Sequence, residues 1–254
     1  MTAESEILAT EGLRKSFGVV HAVDNINLAL NEGVITAIIG PNGAGKTTFI
    51  NLLSGNMAAD AGHIRFRGAD VTRLPAFERV RLGLGRSFQI TNVFPSLTVF
   101  ENVQVPVLRH LGYGWSLWRR VGSAADARRR VEDVLAAIGL ADKAALPARF
   151  LSHGDQRLLE VGIALAAEPK LLLLDEPTAG MNPIERGRIL EMIAALNAAR
   201  RATFVIIEHD MDVVFQLAGE IVVLNRGQIL AQGSPAAIRD DARVADIYLG
   251  RRHA

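Results

Sequence analysis

The residues with the clearest chemical potential are Gly40, Pro41, Asn42, Gly43, Ala44, Gly45, Lys46 and Thr47, followed by Thr48. They spell G-x-x-x-x-G-K-T directly after the apolar segment Val34 to Ile39. That is the spacing of a loop whose backbone N–H groups curl around phosphate oxygens. A helix opening inside the loop adds about half a unit of positive charge at the same point. Lys46 supplies a full charge, and Thr47 offers a hydroxyl to Mg2+. An ordinary glycine-rich turn has no need of Lys-Thr at that offset, so nucleotide phosphates are the expected ligand.

A second group closes the run LLLLDEP with Asp175 and Glu176. Strand tips of an open α/β sheet face a ligand crevice, and two acids placed there are costly unless used. Asp175 is the natural partner of the Mg2+ on Thr47, and Glu176 can accept a proton from, or orient, an attacking water. The run TFVIIEHD ends at His209, near the same crevice; alone, a histidine after a strand is more often structural. Gln89, after the possible strand GRSF, is by itself an ordinary loop residue. In LSHGDQ, Ser152 and Asp155 fit the S-x-x-D capping pattern, so a helix should begin near His153 with N–H groups aimed forward. Either this turn is simple capping or it completes a nucleotide held by another copy.

The elements that must position these groups follow from hydrophobic periodicity. Short apolar runs at Leu171 to Leu174, Thr203 to Ile207 and Ile221 to Leu224 predict buried strands, with helices at Ile184 to Ala199 and Met211 to Ala218 between them. A helix should run from the glycine loop to about Leu53. The alternation gives an α/β class with a mainly parallel sheet. Ala22 to Leu30 and His63 to Arg67 do not alternate with helices and predict an antiparallel β addition. Between Val99 and Leu151, strands vanish, and Val131, Val134, Leu135 and Ile138 recur at helical spacing. This predicts a helical subdomain, about 99–151, inserted in a single domain spanning 1–254.

Bulk properties exclude other classes. The chain has 254 residues, 49% of them hydrophobic and 22% charged, as in folded globular proteins. A net charge of +1 argues against a surface dominated by nucleic-acid phosphates, so no nucleic-acid partner is expected. The chain has no cysteine, which rules out thiol nucleophiles and disulfides. The start MTAESEILAT lacks the basic and apolar stretches of a secretory signal. Within LGYGWSLWRR, two tryptophans stand beside two arginines, as in a helix packing its aromatics inward or a face meeting a membrane subunit or headgroups.

Glycine loop, glutamine after a strand, LS-x-G, LLLLDE and a strand ending in histidine, in that order over nearly the whole chain, resemble the ATPase subunit of ABC transporters. The resemblance implies an ABC ATPase fold on a P-loop NTPase core, with ATP and Mg2+ as ligands. By matching position, Gln89 is similar to the glutamine that touches Mg2+ and water and senses the membrane partner. His209 matches the histidine that contacts the γ-phosphate. Ser152 and Gly154 match the signature turn that clamps the γ-phosphate of the opposite subunit, which implies a head-to-tail dimer with the same or a related chain. Phe17 takes the place of the adenine-stacking aromatic, and Asn182 that of the usual D-loop aspartate. His153 and Asp155 depart from the common LSGGQ. The segments RSFQITNVFPSLTVFENV, DEPTAGMNP, IEHDM and the terminal YLG are similar to the ATPase subunit of branched-chain amino acid importers. Urea/short-amide importers and lipopolysaccharide-export ATPases share parts of this pattern. Soluble ABC ATPases acting on DNA or ribosomes usually carry paired cassettes or long coiled-coil insertions, and neither is visible here. Implied partners are transmembrane permease subunits and, indirectly, a periplasmic or extracellular substrate-binding protein. The implied location is peripheral, on the cytoplasmic face of the cell membrane.

Overall fold

The computed structural model describes residues 6–87, 93–112 and 122–249. Two long strands, β1 (Glu6–Phe17) and β2 (Val20–Asn31), pair antiparallel across a tight turn at Gly18 and Val19. β3 (Thr36–Ile39) leads through the glycine loop into α1 (Lys46–Ser54). β4 (Ala61–Phe66) and the short β5 (Ala69–Asp70) return to β1, giving an antiparallel sheet in the order β2-β1-β4-β5. The sequence reading passes over β1, because its register shifts on both sides around Glu11 to Arg14 break the alternation that marks a strand.

After α2 (Ala76–Leu82) and β6 (Leu84–Arg86) come the helices α3 (Val99–His110), α4 (Gly122–Ala137) and α5 (His153–Leu165). Then β7 (Leu171–Asp175), α6 (Pro183–Ala198), β8 (Thr203–Ile207), α7 (Met211–Leu217) and β9 (Glu220–Asn225) alternate. β10 (Gln228–Gly233), α8 (Pro235–Arg239) and α9 (Ala242–Leu249) complete the described residues. The second sheet runs β10-β9-β3-β8-β7-β6 and is parallel except where β10 meets β9.

The period of two along the central strands divides their side chains between two cores. Leu171 and Leu173, Val205 and Ile207, and Ile38 pack toward α1 and the antiparallel sheet. Leu172 and Leu174, Phe204 and Ile206, and Ile39 pack toward the helices. With both faces covered, these strands need no polar side, which is why they read as unbroken apolar runs. α1 lies in the layer shared with the antiparallel sheet, with Phe49, Ile50, Leu52 and Leu53 fully buried. Emptying one of these positions, as in Leu52→Ala, would cost about 2–5 kcal/mol. On the far face, α3, α4 and α5 pack on one another, and the stripe Val131, Val134, Leu135 and Ile138 joins the same core as the sheet. Among the described residues, no helix is long and apolar enough to cross a membrane.

Candidate functional site

The C-terminal tips of four parallel strands converge here. β3 runs into Gly40, β7 into Asp175 and Glu176, β8 into Glu208 and His209, and β6 ends on Arg86. β3 lies between β8 and β9, the kind of central position where open α/β sheets bind ligands.

The loop after β3 can be built only with glycine at two points. Gly40 and Gly45 have φ of 155° and 100°. A Cβ at either would stand 2.2 Å from the Leu224 carbonyl oxygen or 2.1 Å from that of Ala22. The close approach lets Gly45 start α1 without a side-chain cap, so no side chain covers the first-turn N–H groups. Pro41 and Ala44 shape the loop through an Ala44 N–H bond to the Pro41 carbonyl (3.1 Å), while Asn42 and Gly43 form its exposed crest. The Lys46 ammonium curls back over the loop and donates to the carbonyls of Gly40 (2.6 Å) and Pro41 (3.1 Å). Burial pulls its pKa below the ordinary value, opposed by the charges of Glu176 and Asp175. Lys46 and both acids therefore share one electrostatic neighbourhood. Thr47 is exposed and Thr48 half-buried in the first turn of α1.

The Asp175 side chain is 2% exposed, and its Oδ2 lies 3.1 Å from Arg86 Nη2. Arg86 also donates to Asn51 Oδ1 of α1 at 2.5 Å, so it braces the acid against the phosphate-loop helix. Burial raises the Asp175 pKa above the usual carboxylate range, and Arg86 opposes the rise. Glu176 adopts a left-handed backbone with φ of 48°, an outlier for a non-glycine residue, held by its N–H bond to the Ile207 carbonyl. Its carboxylate lies 3.7 Å from His209 Nδ1, both side chains being partly open to solvent. Thr47 and Asp175 offer only oxygen donors, the set Mg2+ takes together with phosphate and water. These residues therefore fit the metal that the motif implies.

Glu208 was not singled out in the sequence. It is 1% exposed, accepts from Thr178 N (3.2 Å) and Oγ1 (2.7 Å), and accepts from His209 N (3.3 Å). It thereby ties the tip of β8 to the turn after Glu176. Its signal was a lone acid closing an otherwise apolar strand, and Arg86 carried a similar signal in GRSF.

Phe17 stands at the β1–β2 turn, 50% exposed, with the Lys15 ammonium 5.8 Å from its ring centroid. Gln89 lies outside the described residues, as do Trp115 and Trp118. Ser152 caps α5 by accepting from Asp155 N at 3.2 Å, as the S-x-x-D pattern predicted. The Gly154 N–H donates to Glu185 Oε1 on α6 at 3.3 Å. Asp155 is buried between Lys143 (2.5 Å) and Arg188 (3.2 Å). Among the described residues, no hydrogen bond or ion pair joins this turn to the glycine loop. Asn182 caps α6, its Oδ1 accepting from Ile184 N and Glu185 N. Arg186, on the same helix, pairs with Asp210 beside His209.

A phosphate-cradling loop after the central strand β3, with paired acids at the tip of β7 on the far side of β8, defines a P-loop nucleoside-triphosphatase core. Comparison with known proteins narrows the class. The ABC transporter family pattern matches residues 23–179, and the pattern for branched-chain amino acid ATP-binding cassette transporters matches 228–254. The chain is 39% identical over 251 residues to LivG, the high-affinity branched-chain amino acid transport ATP-binding protein of Salmonella typhimurium, covering 96% of this chain and 98% of that protein. It is 37% identical over 249 residues to BraF of Pseudomonas aeruginosa, with the same coverage. An ATP-binding cassette of an ABC transporter, solved in its ADP conformation, superposes with a TM-score of 0.83 at 33% identity over 97% of this chain and all of that one. A dimeric bacterial ABC transporter cassette matches with a TM-score of 0.76 at 25% identity, covering 90% of this chain and 98% of that one. The chain belongs to the ABC transporter family and is one of its ATP-hydrolysing cassettes.

Proposed function

We propose that this chain powers the import of branched-chain amino acids as the peripheral ATPase of a membrane complex, docked on transmembrane permease subunits at the cytoplasmic face. The cargo reading is supported by the identity to LivG and BraF along nearly the whole chain and by the matching C-terminal segment. A binding protein outside the membrane would deliver the amino acid. The dimeric cassette relative supports a pair of cassettes, here the same or a related chain, closing head to tail on two ATP molecules. The helical insert, about 99–151, would face the permease.

The observation that carries the hydrolytic reading is the approach of Lys46, Asp175, Glu176 and His209 to one loop whose amides carry no side-chain cap. In this reading the N–H groups of Gly43 and residues 45–48 hold the β- and γ-phosphates, Lys46 neutralises their charge, and Phe17 stacks on adenine. Thr47 and Asp175, with Gln89, would hold Mg2+, which supplies charge neutralisation at the β- and γ-phosphates when bound. Glu176 aligns water and takes its proton as the oxygen attacks the γ-phosphorus and the bond to the ADP oxygen breaks. His209 lies against the γ-phosphate, and Ser152 and Gly154 of the partner cassette complete the clamp. Most of the rate enhancement is positioning and charge stabilisation.

Phosphate release by the purified chain tests the hydrolytic half. Purification from detergent-solubilised membranes, with leucine uptake in reconstituted vesicles, tests the cargo half. We expect two permease subunits to co-purify and uptake to require ATP. Co-purification with nucleic acid, or transport of another solute but not leucine, would contradict the reading.

A further inference from the structure

Arg79 heads the largest fully buried side chains of the described residues, with 1% of its surface exposed, and among those residues no carboxylate forms an ion pair with it. Its guanidinium donates instead to four backbone carbonyls. Nη1 reaches Leu52 (2.6 Å) and Leu53 (2.7 Å), Nε reaches Leu74 (2.9 Å), and Nη2 reaches Thr72 (3.0 Å). Burial depresses its pKa to about 10, with Asp70 opposing the shift from a distance.

A buried charge without a counter-ion is expensive, and an apolar side chain of similar volume would fill the space without that cost. The compensation lies in what Arg79 faces. Leu52 and Leu53 are in the last turn of α1, where the helix dipole is negative; the Leu52 carbonyl also accepts from the Gly55 N–H at 3.2 Å. The other end of the same helix, roughly 13 Å away at 1.5 Å per residue, is the start of the phosphate loop. The Leu74 and Thr72 bonds fasten that carbonyl end to the segment between β5 and α2. α1 has only 9 residues and no side-chain N-cap, so it needs tertiary support to hold its axis.

We propose that Arg79 is a positioning residue for nucleotide binding: its buried guanidinium anchors the carbonyl end of α1 and so fixes and polarises the amides at the opposite end that receive the phosphates. This inference rests on the phosphate-loop reading above. It predicts an effect that grows with the number of phosphates on the ligand, because the field and the amide positions act on phosphate and not on the base or sugar.

The test compares Arg79→Met, Arg79→Lys and the parent in equilibrium binding of ATP, ADP and adenosine, with folding checked by thermal melts. For folded R79M we expect ATP to bind about three- to tenfold more weakly, ADP to lose less, and adenosine to be unchanged. R79K keeps the charge but loses the fork that fastens the helix, so its ATP affinity should fall by about two- to threefold, less than in R79M, with adenosine unchanged and the melting temperature lowered. R79M that binds ATP like the parent, or weakens all three ligands by one factor, overturns the proposal. If R79M does not fold, R79K decides: ATP affinity equal to the parent's, or a loss of the same factor for ATP, ADP and adenosine, overturns it. A parent that binds no ATP would instead sink the underlying phosphate-loop reading, so the two failures are distinguishable.

Discussion

α1 and α5 both begin with a glycine-containing turn that could meet a phosphate, but they begin in opposite conditions. α1 starts bare: its cap is Gly45, no side chain bonds its first amides, and Lys46 bends over the loop onto carbonyls that it can exchange for phosphate. α5 starts covered. Ser152 spends its hydroxyl on Asp155 N, Glu185 lies on the Gly154 amide, and Asp155 is locked to Lys143 and Arg188. On the proposed reading, a site that must capture ligand alone is presented open, whereas a site completed by a partner's nucleotide is kept satisfied until the partner arrives. Unpaired buried amides would otherwise be costly while the chain waits.

The largest expected effect comes from the hydrolytic side of the open site. Glu176→Gln should reduce steady-state phosphate release by about 10²–10⁴-fold while leaving ATP binding intact and trapping ATP-bound dimers, measured by light scattering. Undiminished turnover would remove Glu176 from its role. Ser152→Ala should separate the two helix starts. Turnover should fall roughly tenfold and stability by about 1 kcal/mol, with the affinity of the single chain for ATP unchanged. If ATP affinity falls as well, the two sites are not divided between chains.

A smaller effect is expected at Glu185. Replacing it with Gln removes an anion from the covered turn, so ATP-driven dimerisation of the Glu176→Gln background should tighten by about two- to fivefold. A weaker dimer would show that Glu185 shapes the turn rather than shields it. A separate effect, on stability rather than turnover, is a pH dependence at Asp155. Burial pushes its carboxyl up, but Lys143, Ser152 and Arg188 together hold it below the ordinary 3.8. Its folded pKa lies below the unfolded one, so its contribution is full above about pH 4 and is lost as pH falls through the folded value. Asp155→Asn should therefore lower stability by about 1–3 kcal/mol near neutrality and lose less than the parent on acidification, as followed by urea melts.

This contrast was only half legible in the sequence. The open site was readable because its parts are local: a loop with fixed offsets, and acids or a histidine closing apolar strands whose both-face burial leaves an unbroken run. Strands β7, β8 and β9 and the stripe on α4 were found for the same reason. The covered site was readable only to its Ser152 cap, because its other partners arrive from Lys143, Glu185 and Arg188, and no local pattern announces them. β1 was hidden by register shifts. Arg79 sits in AFERVRLG, where charged residues read as a solvated helix face, yet tertiary packing turns its guanidinium inward. Asn182 departs by position from the usual D-loop aspartate, and its bonds show it capping α6.

Isothermal calorimetry of Mg-ATP with the folded parent and Lys46→Ala tests most directly whether the bare start of α1 is where the triphosphate binds. Uptake of about one ATP per chain by the parent, with affinity lost by at least about tenfold in the variant, is the expected result. Absence of binding by the parent, or equal affinity in the two proteins, would contradict the account.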